Sequence, residues 1–542
     1  MADMSFDAVI IGGGNKSLML GMYLAKYGGM TVGIFERRHE LGGGLSSEEA
    51  SAPGFIHNTH STQHTSRMYY EPLYEDFPDF EEKGAKYAHC PAGYGMIFKE
   101  DMSCLLFYQE QEDPTQEKTA KQIARFSNKD AETWLKLWDY YKKKLRPAMM
   151  ERVFNPPRPG VKDSFDRLFP DPSSPIDPGW AAMNCLQVGM EAFESKEITC
   201  AQMRGRQSAD GIPPDLYGSG LNQIIYPLSL AESDFAIGGS HSVAHASARI
   251  FLQNGGKVFT NMEVEKAVIE NGRATGIKLT DGTTVRANKA VISTLSPYQL
   301  CFQIIGKEYL SPKILHRVAN LETRLTCLAW YGWAFHEAPS YKAVDFNADV
   351  NNVQFLALGN KDLESLVKEA SWRRLGKLPP DLNLVVWCYS LEDPTQAPVG
   401  KQTAGSEQFV PPATALSEKE WMDYKVQHAN DVVKEWQQYA TNMGWHNVIG
   451  YFPEVPPDVC HLANMAPSGN WAVIDCVATQ QGRRRPIAEL STHRTPVKDL
   501  YATGSAWHPS PGAHAYQAYN CYKVLADDFG LRKPWVEKGR PY

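Results

Sequence analysis

The sequence predicts an α/β protein, and three features of its first 36 residues carry the prediction. The run Ala8-Val9-Ile10-Ile11 is continuously apolar, as suits a parallel strand covered on both faces. Gly12, Gly13 and Gly14 follow at once and make a turn. Leu18, Met19, Met22, Tyr23 and Leu24 then recur at helical spacing, and Gly28-Gly29 stops the helix. A second apolar run, Thr31 to Phe35, ends in Glu36. Strand, glycine turn, helix and strand make a βαβ unit closed by an acid.

Such a unit suits a dinucleotide. Glycines let the backbone approach a diphosphate closely, and the helix start offers amides and the positive end of its dipole. An acid after the second strand accepts hydrogen bonds from ribose hydroxyls, which assigns that role to Glu36. Ser17 stands where a third glycine would serve helix–strand packing. Its hydroxymethyl group predicts a slightly wider packing distance with binding retained.

The chain has 542 residues, more than one hydrophobic core fills, so two or more domains are expected. Hydrophobic residues make up 43% and charged residues 22%, the balance of a soluble globular chain. Net charge is −7, and basic tracts are short, Arg483-Arg484-Arg485 among them, so nucleic-acid binding has no support. Ten scattered cysteines without a C-x-x-C pair point to reduced thiols and a cytoplasmic setting. The N-terminal stretch lacks the pattern of a signal peptide, and no apolar run suits a spanning helix. Contact with the membrane surface stays compatible with this composition.

Later segments extend the reading. Glu36 is followed by Arg37-Arg38-His39-Glu40-Leu41-Gly42-Gly43-Gly44, and PGFIHNTH spans 53–60. The stretch 235–268 holds two Gly-Gly pairs around an apolar helix pattern, and Asp281-Gly282 supplies a hairpin turn within 264–294. Residues 494–525 read RTPVKDLYATGSAWHPSPGAHAYQAYNCYKVL. In this order, the segments resemble the FAD-dependent amine oxidase and phytoene desaturase superfamily. The likeness is strongest to its branch of phytoene desaturases, carotenoid isomerases and pyridine nucleotide-disulfide oxidoreductase domain 2 proteins.

That resemblance implies a Rossmann-like, discontinuous FAD-binding domain from 1–75, 235–310 and 485–542. An α+β substrate-binding domain would come from 76–234 and 311–484. It implies non-covalent FAD held by Gly12, Gly13, Gly14, Glu36, Arg37, Gly42, Gly43, Val264, Gly504, Gly512 and Ala515. A helix starting within 513–517 would face the flavin. Ala515 and Ala518 stand where glycines often occur, and Tyr516 and Tyr519 add bulk, which favours a substrate smaller than a carotenoid.

Outside these segments, Ser127 reads as the cap of a helix over 127–145, with Trp134, Leu135, Trp138 and Tyr141 on one face. Ser417 and Glu420 suggest a capping box opening a helix over 417–443. Its apolar stripe would be Met422, Val426, Ala429, Val433, Trp436, Ala440 and Met443, with Gly444 as the stop. The stretches 153–178 and 391–417 read as loops. His57, His60 and His64 crowd one segment, but its Thr and Ser content argues against a helical metal site, so no metal is expected.

The catalytic candidates are His508, His60 and Tyr516. The expected function is an FAD-dependent desaturase or dehydrogenase acting on a C–C or allylic C–H bond of a hydrophobic, isoprenoid-like or alicyclic molecule. The alternatives are a redox-neutral FAD-dependent isomerase, a flavin amine oxidase using Trp507, Tyr516 and Tyr519 as an aromatic cage, and a non-enzymatic prenyl-protein escort-like binder. A quinone, oxygen or a carrier protein would take the electrons.

Overall fold

The computed structural model describes residues 4–61, 66–158 and 160–542. The fold is α/β and is organised by two seven-stranded sheets. In the first, Met4–Ile11 lies between Thr284–Ser293 and Val32–Phe35, all parallel. Lys257–Phe259 extends this sheet beyond Val32–Phe35, and Leu500–Ala502 pairs with Thr284–Ser293. Ala8 is opposite both Ala290 and Val32, and Ile11 is opposite both Ser293 and Phe35. Ala8 and Ile10 enter one apolar core, while Val9 and Ile11 enter another. Both faces are covered, which is why the run carries no polar alternation.

Arg273–Leu279 pairs antiparallel with Thr284–Ser293 across the Asp281-Gly282 turn. Gly282 has φ of 90°, a left-handed conformation that glycine adopts without a Cβ clash. Asp281 accepts the Thr283 amide at 2.8 Å.

Helix Asn15–Lys26 packs on helix His241–Gln253. Ser17 is fully buried, and its Oγ is 2.9 Å from Thr294 Oγ1. The expected widening is therefore not its main effect: the hydroxyl ties the helix to the loop after Thr284–Ser293. Close packing falls instead to Gly21, where a Cβ would come within 2.9 Å of the Phe251 ring.

The second sheet runs in the order Val448–Glu454, Leu328–Phe335, Gln402–Phe409, Leu384–Trp387, Leu356–Gly359, Ala92–Phe98, Cys104–Tyr108. Strand alternation splits its faces. Ala329, Tyr331, Trp333 and Phe335 join the core shared with helix Glu418–Tyr439. Leu328, paired with Phe409, and Trp330, paired with Glu407, occupy the opposite face.

Three sequence expectations need correction here. The stretch 391–417 is not all loop, since it contains the strand Gln402–Phe409, which pairs along its whole length with Leu328–Phe335. Few β-branched residues mark that strand, so its pairing comes from neighbours rather than propensity. The helix expected over 417–443 ends at Tyr439, not at Gly444. Its buried face holds Trp421, Ala429, Val432, Val433 and Trp436, while Met422 and Val426 point to solvent. A one-residue offset turns a helix face by about 100°.

The caps do form. Ser417 Oγ accepts the Glu420 amide at 3.3 Å, and Glu420 accepts the Ser417 amide at 2.7 Å. Ser127 accepts the Asp130 amide at 3.1 Å and opens helix Asn128–Tyr140, whose buried face includes Trp134 and Trp138. All ten cysteines are free. Among the described residues, no helix is long and apolar enough to cross a membrane.

Candidate active site

Three strand ends and two glycine loops converge at one edge of the first sheet. The Gly12 amide donates to Phe35 O at 2.8 Å, Thr294 N to Ile11 O at 3.1 Å, and Thr503 N to Ser293 O at 2.9 Å. The second loop laces onto the first: Gly42 N donates to Gly13 O, and Asn15 N donates to Gly42 O, both at 3.0 Å. Glu36 accepts the Gly13 amide at 2.5 Å and the Arg38 amide at 2.8 Å.

These segments enclose a cavity of about 350 Å³. Gly12, Gly13, Gly14, Glu36, Arg37, Gly43, Val264 and Gly504 all line it. Gly42 lies behind the lining, and Arg37 donates to the His461 carbonyl at 3.1 Å.

The cavity is built for an anion. Helix Asn15–Lys26 begins here without a side-chain cap. Gly42 O takes the Asn15 amide, and the amides that follow in the first turn, with the dipole, favour negative charge. Asn15 Nδ2 is buried with no hydrogen-bond partner. Lys16 Nζ donates to the Gly512 carbonyl, and burial lowers its pKa to about 7. Gly14 has ordinary backbone angles, and the nearest atom to a Cβ there would be Gly43 Cα at 3.9 Å. No protein atom requires glycine at that position, so the residues fit a ligand that approaches the backbone, such as a dinucleotide.

A second cavity, of about 100 Å³, shares Asn15, Lys16, Gly44, Met465 and Ser505 with the first. Its far wall is the second sheet, which contributes Leu328, Glu407 and Phe409. His60 stacks on Trp471 with ring centroids 4.4 Å apart, and both line the space. Trp471 Nε1 is buried without an acceptor. Glu407 is the only carboxylate lining this cavity among the described residues.

The sequence candidates therefore separate. His60 and Gly512 line the second cavity, and Ala513 reaches it from the segment before helix Tyr516–Phe529. His508 does not line either cavity: its Nε2 is 3.0 Å from the Arg152 carbonyl, and burial lowers its pKa to about 3. Tyr516 is likewise outside, with its hydroxyl 2.9 Å from Ser510 Oγ and donating to Pro511 O at 3.0 Å. Ala515 caps the helix and donates to Tyr69 O at 3.4 Å, away from both linings.

The expected crowding by Tyr516 and Tyr519 is also relocated. Tyr519 packs on Tyr23 and Phe154, and Trp507 donates to Leu490 O at 3.0 Å. Phe409 and Trp471 narrow the cavity instead. His57 bonds Ser51 Oγ at 2.6 Å and is lowered to about 3 by burial, while His64 lies outside the described residues. Sequence reasoning missed Glu407, Phe409, Trp471 and Lys16. Lys16 alone left a local signal, a cation in the first turn of an apolar helix.

Residues 10–79 match the family described as an NAD(P)-binding Rossmann-like domain. A limonene dehydrogenase chain of Castellaniella defragrans is 26% identical, over 98% of this chain and 96% of its own length. The pyridine nucleotide-disulfide oxidoreductase domain-containing protein 2 of Rattus norvegicus is 24% identical, over 96% of this chain and 94% of its own. The chain is an oxidoreductase, and both of these relatives are similar to it over nearly its whole length. An oxidoreductase from Methanosarcina mazei shares the fold, with a TM-score of 0.61 at 15% identity over 97% of this chain and 100% of that one. In this oxidoreductase the Rossmann-like match takes in both glycine loops, Glu36 and His60.

Proposed function

We propose that the oxidoreductase holds FAD non-covalently and removes a hydride from a C–C or allylic C–H bond of a small hydrophobic, alicyclic or isoprenoid-like molecule. The observation that carries this reading is the adjacency of the two cavities: a glycine-lined cradle and an aromatic chamber share Asn15 and Lys16 in their walls. Gly12, Gly13, Gly14 and Gly43 would admit the diphosphate, and Glu36 would accept from ribose. Bound FAD supplies a two-electron hydride acceptor.

The chain supplies the rest. Leu328, Phe409, Met465 and Trp471 exclude water and orient an apolar substrate. Glu407 accepts the proton that leaves the neighbouring carbon, so the substrate gives up a hydride and a proton together. The full-length similarity to the limonene dehydrogenase chain favours a monocyclic substrate over a long carotenoid. A quinone, oxygen or a carrier protein then takes the electrons.

The test is direct. Denaturing the purified protein should release FAD, identified by mass and fluorescence. Anaerobic mixing with a monocyclic terpene should bleach the flavin and yield an oxidised product. A protein that refuses FAD overturns the proposal. An isomerised product without net oxidation would replace it with the isomerase reading.

A further inference from the structure

Glu40 sits on the second glycine loop, and His241 and His245 lie one turn apart on helix His241–Gln253. Positions i and i+4 share a helix face. One ligand atom from each of the three residues lies within 4.8 Å of the other two. We propose that Glu40, His241 and His245 bind a divalent transition-metal ion, with Zn²⁺ the best chemical match, and that the ion fastens the second glycine loop to this helix.

Geometry favours that ion. His241 Nδ1 and Glu40 Oε1 are 3.3 Å apart. Adjacent ligands of a tetrahedral zinc with bonds of 2.0–2.1 Å stand about 3.4 Å apart. His241 Nε2 is 3.0 Å from the Leu41 carbonyl, which can only accept, so Nε2 carries a hydrogen. A neutral His241 thus turns its Nδ1 lone pair toward a carboxylate oxygen, a repulsive contact unless a cation lies between them. A carbonyl on the far nitrogen is also how metal-ligating imidazoles are usually oriented.

A proton on Nδ1 is the competing cation. The His245 ring lies beside that of His241, with centroids 3.9 Å apart, which brings a second imidazole to the same point. His245 is exposed, so the fourth position opens to water. Two imidazoles and one carboxylate suit zinc better than calcium or magnesium. Glu40 also lines the first cavity, so the ion would stand at the wall of the proposed dinucleotide site.

The test uses tag-free, full-length protein stripped with chelator and then equilibrated with zinc sulfate. One Zn²⁺ per chain is expected, with a rise in unfolding temperature. Cobalt substituted at the site should show the visible absorption of a four-coordinate centre. Glu40→Gln and His245→Ala should each weaken zinc binding about tenfold or more while circular dichroism stays unchanged. Failure of the wild-type protein to bind zinc overturns the proposal. Equal affinity and stoichiometry in both variants overturns it as well, by placing the ion elsewhere.

Discussion

Replacing Gly14 or Gly43 by alanine should have opposite effects, although the two residues touch. Gly43 has φ of 56°, which costs a residue with a Cβ about 1–2 kcal/mol. The new methyl would lie 3.0 Å from Gly14 Cα, pushing apart loops joined by two 3.0 Å hydrogen bonds. Weakening those bonds adds about 1 kcal/mol. Gly43→Ala should therefore destabilise the cofactor-free protein by about 2–3 kcal/mol. Gly14 has φ of −68°, and its added methyl would meet nothing closer than 3.9 Å. Gly14→Ala should leave the cofactor-free protein unchanged or more stable by about 0.4–1 kcal/mol, through the unfolded chain. With FAD the order reverses in meaning, because the Gly14 methyl enters the cavity lining. Overpacking of about 1–3 kcal/mol there weakens FAD binding by about 5- to 150-fold. Urea unfolding of the cofactor-free variants and FAD titration by fluorescence quenching separate the two effects. Wild-type FAD affinity in Gly14→Ala would refute the claim that this backbone is kept bare for a ligand.

Other outcomes follow from the same geometry. Lys16 has a folded-state pKa near 7, well below its ordinary 10.5. The unfolded chain therefore holds a proton that the folded one lacks between those values, and cofactor-free stability should rise with pH across that window. An anionic ligand restores the proton, so its affinity should fall above pH 7, by at most tenfold per pH unit. Lys16→Met should flatten both profiles, and unchanged slopes would sink this account. Ser17→Ala removes the bond to Thr294 and should cost about 1 kcal/mol in urea unfolding. Glu407→Gln should lower kcat by about 10²- to 10⁴-fold with flavin content unchanged. Full activity in that variant would move the proton acceptor elsewhere.

Legibility in the sequence followed the distance over which structure is decided. Gly12 to Glu36 form one local βαβ unit, so strand, turn, helix and acid were readable within about 30 residues. Gly504 and Val264 were found only through resemblance, since nothing in their own neighbourhoods says that they line one cavity with Gly13. Glu407 was hidden because its strand reads as loop, and only pairing with Leu328–Phe335 turns it toward the second cavity. His508 and Tyr516 stand out by residue type and motif position, but their partners are backbone carbonyls and Ser510. The spacing of His241 and His245 was visible, whereas Glu40, some 200 residues earlier, joins them only once the chain folds.

The first sheet is assembled from distant pieces of the chain, and this sets an order on its biogenesis. Met4–Ile11 emerges from the ribosome well before its parallel neighbour Thr284–Ser293, and Leu500–Ala502 follows later still. Until then Val9 and Ile11 have no lasting cover and an open backbone edge. Such a nascent chain invites chaperone attention, and fragments truncated before residue 500 should accumulate as insoluble material.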